Sequence, residues 1–187
     1  KDRLYTEKAD SVARRAAQTT MYYILDALVK ILTPMISFTA EEIWSAMKHT
    51  EKENVESPML ADYPVPNDEW DNKEIAEKWE KIIKVKNIVA KDLELARAEK
   101  TIGNSLDAKV TIYAEGEEYK FLKENEELIK LVLIVSGLEI QENNRKQEEK
   151  LGVKVEHATG EKCERCWMYN DHLEDGLCPR CKEVLEK

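Results

Sequence analysis

Leu106-Asp107-Ala108-Lys109-Val110-Thr111-Ile112-Tyr113-Ala114 alternates apolar and polar side chains one by one, the period of a half-buried β-strand. Upstream of it the apolar residues recur every three or four positions, the period of a helix. Downstream come a short helical pattern, two brief alternating segments and a tail that holds all four cysteines. This stretch therefore divides the chain. The expected fold is mainly α: a helical bundle over residues 1–100, a small α+β unit over 101–158, and a metal-bearing ribbon over 159–187.

Reading upstream, no Gly or Pro falls between Tyr5 and Leu32. Val12, Ala16, Thr19, Tyr23, Ala27 and Ile31 form one stripe, and Met21, Leu25, Leu28 and Leu32 form a second. Two apolar faces predict a helix buried between neighbours, ended by Pro34. Thr39-Ala40-Glu41-Glu42 has the pattern of a capping box, with Phe38 and Ile43 at the staple positions, so a second helix is expected to start there. Pro58, Pro64 and Pro66 mark an extended connection. A third helix is expected from about Asn72 to about Lys100, with Ile75, Trp79, Ile82, Val85, Val89, Leu93 and Ala96 on one face. At ~1.5 Å per residue it would span roughly 40 Å. Gly103 is placed to end it in the left-handed conformation.

Reading downstream, Glu115-Gly116 turns the chain into a helix over about 117–133. Leu138-Glu139-Ile140 and Val153-Lys154-Val155 alternate as strands do, with the charged stretch Glu142 to Lys150 between them. Tyr22, Tyr23, Trp44 and Trp79 are expected in the core, and His49 and His157 on the surface.

Cys163 and Cys166 form one C-x2-C pair, and Cys178 and Cys181 a second pair after eleven intervening residues. Two intervening residues let a tight turn present both sulfurs to one ion, and two such turns give a tetrahedral S4 site with Zn–S distances near ~2.3 Å. Two disulfides, a rubredoxin-like iron centre and a redox pair share the spacing. The chain shows no secretory signal, which disfavours disulfides, and an iron site of that type sits in a longer domain with a fuller aromatic core. One structural Zn2+ is the expected cofactor. Four thiolates leave no open position for a substrate, so no catalytic residue is expected here. Trp167, Met168, Leu173, Leu177, Val184 and Leu185 are few apolar residues for a self-sufficient tail, and the metal is expected to supply the missing stability.

Of the residues, 36% are charged and the net charge is −9. A protein that grips nucleic acid by its overall field is therefore excluded, and any such binding must rest on placed residues. No apolar run approaches the roughly 20 residues needed to cross a bilayer. A soluble, cytoplasmic monomer is expected.

Lys162-Cys163-Glu164-Arg165-Cys166-Trp167 resembles the C-terminal zinc motif of bacterial isoleucyl-tRNA synthetases, class I aminoacyl-tRNA synthetases. Lys1-Asp2-Arg3-Leu4-Tyr5 resembles the K-D-R-L-Y entering the helical anticodon-binding domain of that family. Arg14 to Thr19 and Leu32 to Trp44 look like its next blocks, and Lys100-Thr101-Ile102-Gly103-Asn104-Ser105-Leu106 like its K-x-I-G-x-S-L junction. The blocks occur in the family's order and cover most of the chain. The ATP-binding signatures H-I-G-H and K-M-S-K-S are absent, so the resemblance implies a C-terminal fragment that does not activate isoleucine.

The resemblance implies a partner, the anticodon stem-loop of the tRNA for isoleucine, besides the remainder of the synthetase chain. Arg165, between two ligands, is expected to meet a phosphate or base edge, and Trp167 to stack on an unpaired base or to fill the ribbon's core. Arg14 and Arg15, beside Lys8, are expected either to contact the RNA backbone or to form a solvated face. The competing functions are a zinc-stabilised helical module for a protein partner and the DNA-binding ribbon of a repair glycosylase.

Overall fold

The computed structural model describes residues 2–53, 55–143 and 151–185. Lys1 of the first motif and most of the charged stretch 142–150 lie outside them. The chain divides into two compact units, Lys1–Asp71 and Asn72–Lys187.

The first unit holds helices α1 (Asp2–Tyr5), α2 (Val12–Leu32) and α3 (Ser37–Ala46). The continuous helix expected from Tyr5 is interrupted. Thr6 folds back on Asp2, and Ser11 then caps a new start by accepting from the Arg14 N–H at 3.2 Å. Side-chain capping decided the start, where apolar spacing alone predicted continuity. α2 ends at Leu32, ahead of Pro34.

The expected capping box does not form. After Leu32 accepts the N–H groups of Met35 and Ile36, the chain re-enters a helix at Ser37, so Thr39 and Glu42 lie inside α3. Ser37 donates its hydroxyl to Thr33 O instead (2.9 Å). Phe38 is 91% exposed and staples nothing.

The core of this unit is Val29, Ala40 and Trp44, flanked by Ile43, Met47, Val55 and Ala61. The Trp44 Nε1–H donates to Val55 O (3.0 Å), and the His49 ring lies 4.1 Å from the indole. Lys30 is buried beside them. Its ammonium pairs with Asp26 at 2.8 Å and with Glu53, and sits 5.9 Å from the Trp44 ring. Burial depresses the Lys30 pKa, but hydrogen bonds to the two carboxylates outweigh this and raise it. Met21, Tyr23, Ile24, Leu25, Leu28 and Ile31 of α2 are exposed. The two-faced stripe expected to be buried is largely solvent-facing, and Tyr23 packs edge-on against the exposed Trp70.

The second unit is built on the long helix α4 (Lys73–Ala98), capped by Asn72, whose side chain accepts from the Ile75 N–H. Ile82, Val85, Val89, Leu93 and Ala96 of the expected stripe are buried, whereas Ile75 and Trp79 at its start are exposed. The helix ends in a Schellman motif: Thr101 N–H reaches Ala96 O (2.9 Å) and Lys100 N–H reaches Arg97 O (3.0 Å). Lys100, at φ 61°, takes the left-handed position expected of Gly103. The motif places that residue two positions after the last helical residue, which is where Lys100 falls.

A 3-10 turn over Ser105–Asp107 leads into β1 (Ala108–Ala114). Two helices follow, α5 (Gly116–Glu124) and α6 (Glu126–Leu133), broken at Asn125, whose side chain donates to Phe121 O (2.8 Å). Strands β2 (Gly137–Glu142) and β3 (Gly152–His157) flank β1 in the order β2-β1-β3, parallel on one side and antiparallel on the other. Val110, Ile112, Ala108 and Ala114 of the central strand are fully enclosed by α4, Leu122, Ile129, Leu133 and Ile140.

Candidate metal centre

The two C-x2-C pairs are presented by different elements. Short strands β4 (Glu161–Lys162) and β5 (Tyr169–Asn170) pair antiparallel and close a loop that carries Cys163 and Cys166. The loop is pinned by Trp167 N–H to Cys163 O (2.9 Å) and Cys163 N–H to Met168 O (3.0 Å). An Asp175-Gly176 turn, both residues at positive φ, leads to Cys178, and Cys181 lies on α7 (Pro179–Leu185). The Glu164 N–H donates to Gly176 O (3.0 Å) and ties the two halves together.

All four cysteines are buried, and their sulfurs lie within 4.8 Å of one another. Cys166 Sγ and Cys178 Sγ are 3.8 Å apart. A regular tetrahedron with ~2.3 Å metal–sulfur bonds has an edge of about 3.8 Å. The four residues are positioned to hold one metal ion. His172 lies outside this cluster.

The thiols are unequal. Burial pushes Cys163 up, but N–H groups of Cys166, Cys178 and Arg165 outweigh it and bring the thiol down to about 6. Burial, with the neighbouring thiols, pushes Cys166 up to about 12. Burial also raises Cys181, against a hydrogen bond from Arg165. Backbone donors thus favour a thiolate at Cys163, while burial and crowding disfavour charge at Cys166 and Cys181.

Arg165 is half-buried, and its Nη1 donates to Cys181 Sγ at 3.5 Å. Its guanidinium therefore helps hold a sulfur of the second pair. Trp167 is 53% exposed at φ 65°. The ribbon's own core is Met168, Leu173 and Leu177 around the sulfurs, so Trp167 does not serve as that core. Arg14 and Arg15 lie in the first unit. Arg14 is half-buried with Nη1 3.5 Å from Glu7 O, and Arg15 is exposed with Nη1 3.4 Å from Gln18 Oε1.

The ribbon joins the sheet through polar residues that local patterning did not single out. Buried Ser136 accepts the Tyr169 N–H at 2.7 Å and donates to Leu106 O. Asp107 accepts the N–H groups of Gly103 (3.1 Å) and Asn104 (2.9 Å) and lies 3.7 Å from Lys162 Nζ. Burial raises the Asp107 pKa, but these partners and His157 bring it below its ordinary value. The exposed His157 meets the Tyr169 ring edge-on at 5.0 Å. Asn104 and Asp107 sit three residues apart as a capping pair, a signal that was present in the sequence.

The family model described as the anticodon-binding domain of tRNA ligase matches residues 1–112. Isoleucine--tRNA ligase of Caldanaerobacter subterraneus subsp. tengcongensis is 46% identical over 200 aligned residues, covering 100% of this chain and 21% of that protein. The enzyme of the same name from Caldicellulosiruptor saccharolyticus is 48% identical over 192 residues, 100% of this chain and 20% of its own. That of Carboxydothermus hydrogenoformans is 45% identical over 198 residues, with shares of 100% and 21%. The chain spans about a fifth of the length of the curated relatives it matches.

Proposed function

The chain belongs to the anticodon-binding domain family of tRNA ligases, and from that premise we propose that it is the tRNA-holding C-terminal part of an isoleucine–tRNA ligase. On this reading the parent joins isoleucine to its tRNA with ATP in another domain. The present chain grips the anticodon stem-loop and performs no chemistry itself. What carries the reading is the likeness to isoleucine–tRNA ligases along helices, junction and metal ribbon together. A protein-interaction module would not call for that match.

The ion of this proposal is Zn2+ on Cys163, Cys166, Cys178 and Cys181. Four soft thiolates with no open position suit zinc in a structural role, supplying folding free energy rather than catalysis. It would fix the loop from which Trp167 projects. Trp167 then stacks on an unpaired base, worth ~1–3 kcal/mol, and Arg165 meets a phosphate or base edge while bracing Cys181. Arg14 and Arg15 contact the RNA backbone. The proposal includes the division into parts over 1–100, 101–158 and 159–187, a monomeric state, the rest of the synthetase as covalent partner, and the cytoplasm as location.

Fluorescence anisotropy of the zinc-loaded chain with an isoleucine anticodon hairpin, against the same hairpin with another anticodon, tests this. Tighter binding to the first is expected, reduced by Trp167→Ala with zinc content unchanged. Equal or absent binding to both would overturn anticodon recognition by this chain.

A further inference from the structure

A cleft of about 490 Å³ opens at the C-terminal end of α4, lined by Arg97, Lys100 and His157 together with Thr101, Ile102 and Gly103. No acidic residue lines it, in a chain with 38 acids against 29 lysines and arginines. A second cleft, of about 390 Å³, is lined by Glu74, Glu77 and Glu124 with two lysines. The basic character of the first is thus a local arrangement rather than a property of the surface.

The cleft is also held rigid. Its backbone is fixed by the Schellman turn at Lys100 and by the Asp107 carboxylate, which takes the N–H groups of Gly103 and Asn104. Arg97 Nη2 is oriented by Ser105 Oγ at 2.9 Å, while Nη1 pairs with Glu94. The charge of Asp107 is offset by Lys162. One wall belongs equally to the metal ribbon, since His157 and the Lys162 ammonium, 5.0 and 5.9 Å away, both rest on the Tyr169 ring.

Given the reading under Proposed function, on which this rests, we infer that the cleft seats a phosphodiester of the RNA strand whose loop the ribbon reads. Lys100 pairs with the non-bridging oxygens, and Arg97, already paired with Glu94 and Ser105, lends a secondary N–H contact. His157 adds a preference for RNA. Its Nδ1 lies 2.8 Å from Ala158 O, and a carbonyl only accepts, so Nδ1 carries the proton and Nε2 of the neutral ring is an acceptor. A ribose 2′-hydroxyl is the matching donor, which DNA lacks.

The test uses the zinc-loaded chain and two variants, Lys100→Asn, which tolerates the left-handed backbone, and His157→Gln. Unchanged circular dichroism and zinc content serve as folding controls. With the two anticodon hairpins, Lys100→Asn is expected to weaken binding about three- to tenfold for both alike. It should also reduce the slope of log affinity against log salt by roughly one phosphate contact. Unaltered affinity and slope would overturn the cleft and leave anticodon recognition standing. If the parent chain binds neither hairpin, anticodon recognition fails, and the cleft is judged by nuclear magnetic resonance with octauridylate. Amide shifts at Lys100 to Asn104 that vanish in Lys100→Asn support it, and their absence overturns it. Octauridylate should outcompete oligothymidylate, and His157→Gln should narrow the gap. Equal shifts with inorganic phosphate at matched phosphate concentration would overturn the RNA assignment in favour of a free-phosphate site.

Discussion

In the first unit the buried apolar cluster is Val29, Ala40 and Trp44, whereas in the second sixteen residues from Ile82 to Leu151 form one cluster among the described residues. Both segments are rich in apolar side chains; the difference lies in what encloses them. α4 lies against β3 and α6, so one face of a period-3.6 stripe meets a surface along most of its length. α2 carries comparable residues on two faces, and Met21, Ile24, Leu25, Leu28 and Ile31 remain exposed. Apolar periodicity identifies a helix in both cases, but burial is decided by its neighbours. The first unit relies on directional polar contacts, with Lys30 between Asp26 and Glu53 and Trp44 hydrogen-bonded to Val55. The second relies on area, and at its end on four clustered cysteines positioned to hold a metal ion.

The largest effect should come from the metal. Chelation is expected to unfold the ribbon over 161–185, because the four sulfurs and three partly buried side chains are its core and structural zinc in small domains contributes on the order of 10 kcal/mol or more. Loss of amide dispersion confined to the ribbon, with β1 to β3 retained, is the expected spectrum. Collapse of the sheet as well would mean that the two parts share one cooperative core. Ile112→Ala should cost about 2–5 kcal/mol in the second unit, whereas Leu28→Ala on the exposed face of α2 should stay within about 0.5 kcal/mol. Amide exchange in each unit separates the two. A large cost at Leu28 would break the contrast.

Lys30→Ala strands two carboxylates in the first unit and should cost about 3 kcal/mol, with Lys30→Met costing no less if charge neutralisation is what the site needs. A small cost for both would show that the unit is not held by this ion cluster. Gly160→Ala should cost about 1–3 kcal/mol, because φ is +83° and a Cβ would lie 2.3 Å from Asn170 O. Thermal melts of the metal-loaded chain measure it, and an unchanged melting point would show that the β4–β5 junction yields easily.

The features legible in sequence are those set by neighbours within about four positions. The cysteine spacing picked out the four sulfurs that the fold brings within 4.8 Å of one another, and the α4 stripe located Ile82 to Ala96. The strand Ala108–Ala114 followed from its period of two. The failures occur where a distant or competing partner decides. Thr39 had the pattern of a cap, but the chain had already turned back into a helix after Pro34. Gly103 looked like the helix stop, yet hydrogen-bond register gave the position to Lys100. Trp79 lies on the apolar stripe of α4, yet it is 39% exposed. Ser136 bridges Leu106 and Tyr169, about thirty residues away on either side, a link that no local window contains. Asp107 likewise gathers the N–H groups of Gly103 and Asn104 and lies 3.7 Å from Lys162 of the ribbon, joining segments more than fifty residues apart.

Asp107 is the smallest and most specific test of that junction. Its carboxylate is nearly buried, and its pKa is lowered by the N–H groups of Asn104 and Gly103 and by Lys162 and His157, against the cost of burial. A depressed carboxylate stabilises the fold fully above its unfolded value, about 3.9, and the contribution disappears as pH falls through the lower folded value. Asp107→Asn keeps the size but loses the charge and should cost about 1–2 kcal/mol at neutral pH. The difference between parent and variant should stay constant down to about pH 5 and shrink below pH 4. Urea titrations at several pH values, followed through the amides of β1 and the ribbon, give the profile. A difference independent of pH would assign the loss to altered hydrogen-bond geometry rather than charge. A difference seen in the sheet but not in the ribbon would show that Lys162 does not couple the two, and that Ser136 and Tyr169 carry the docking between them.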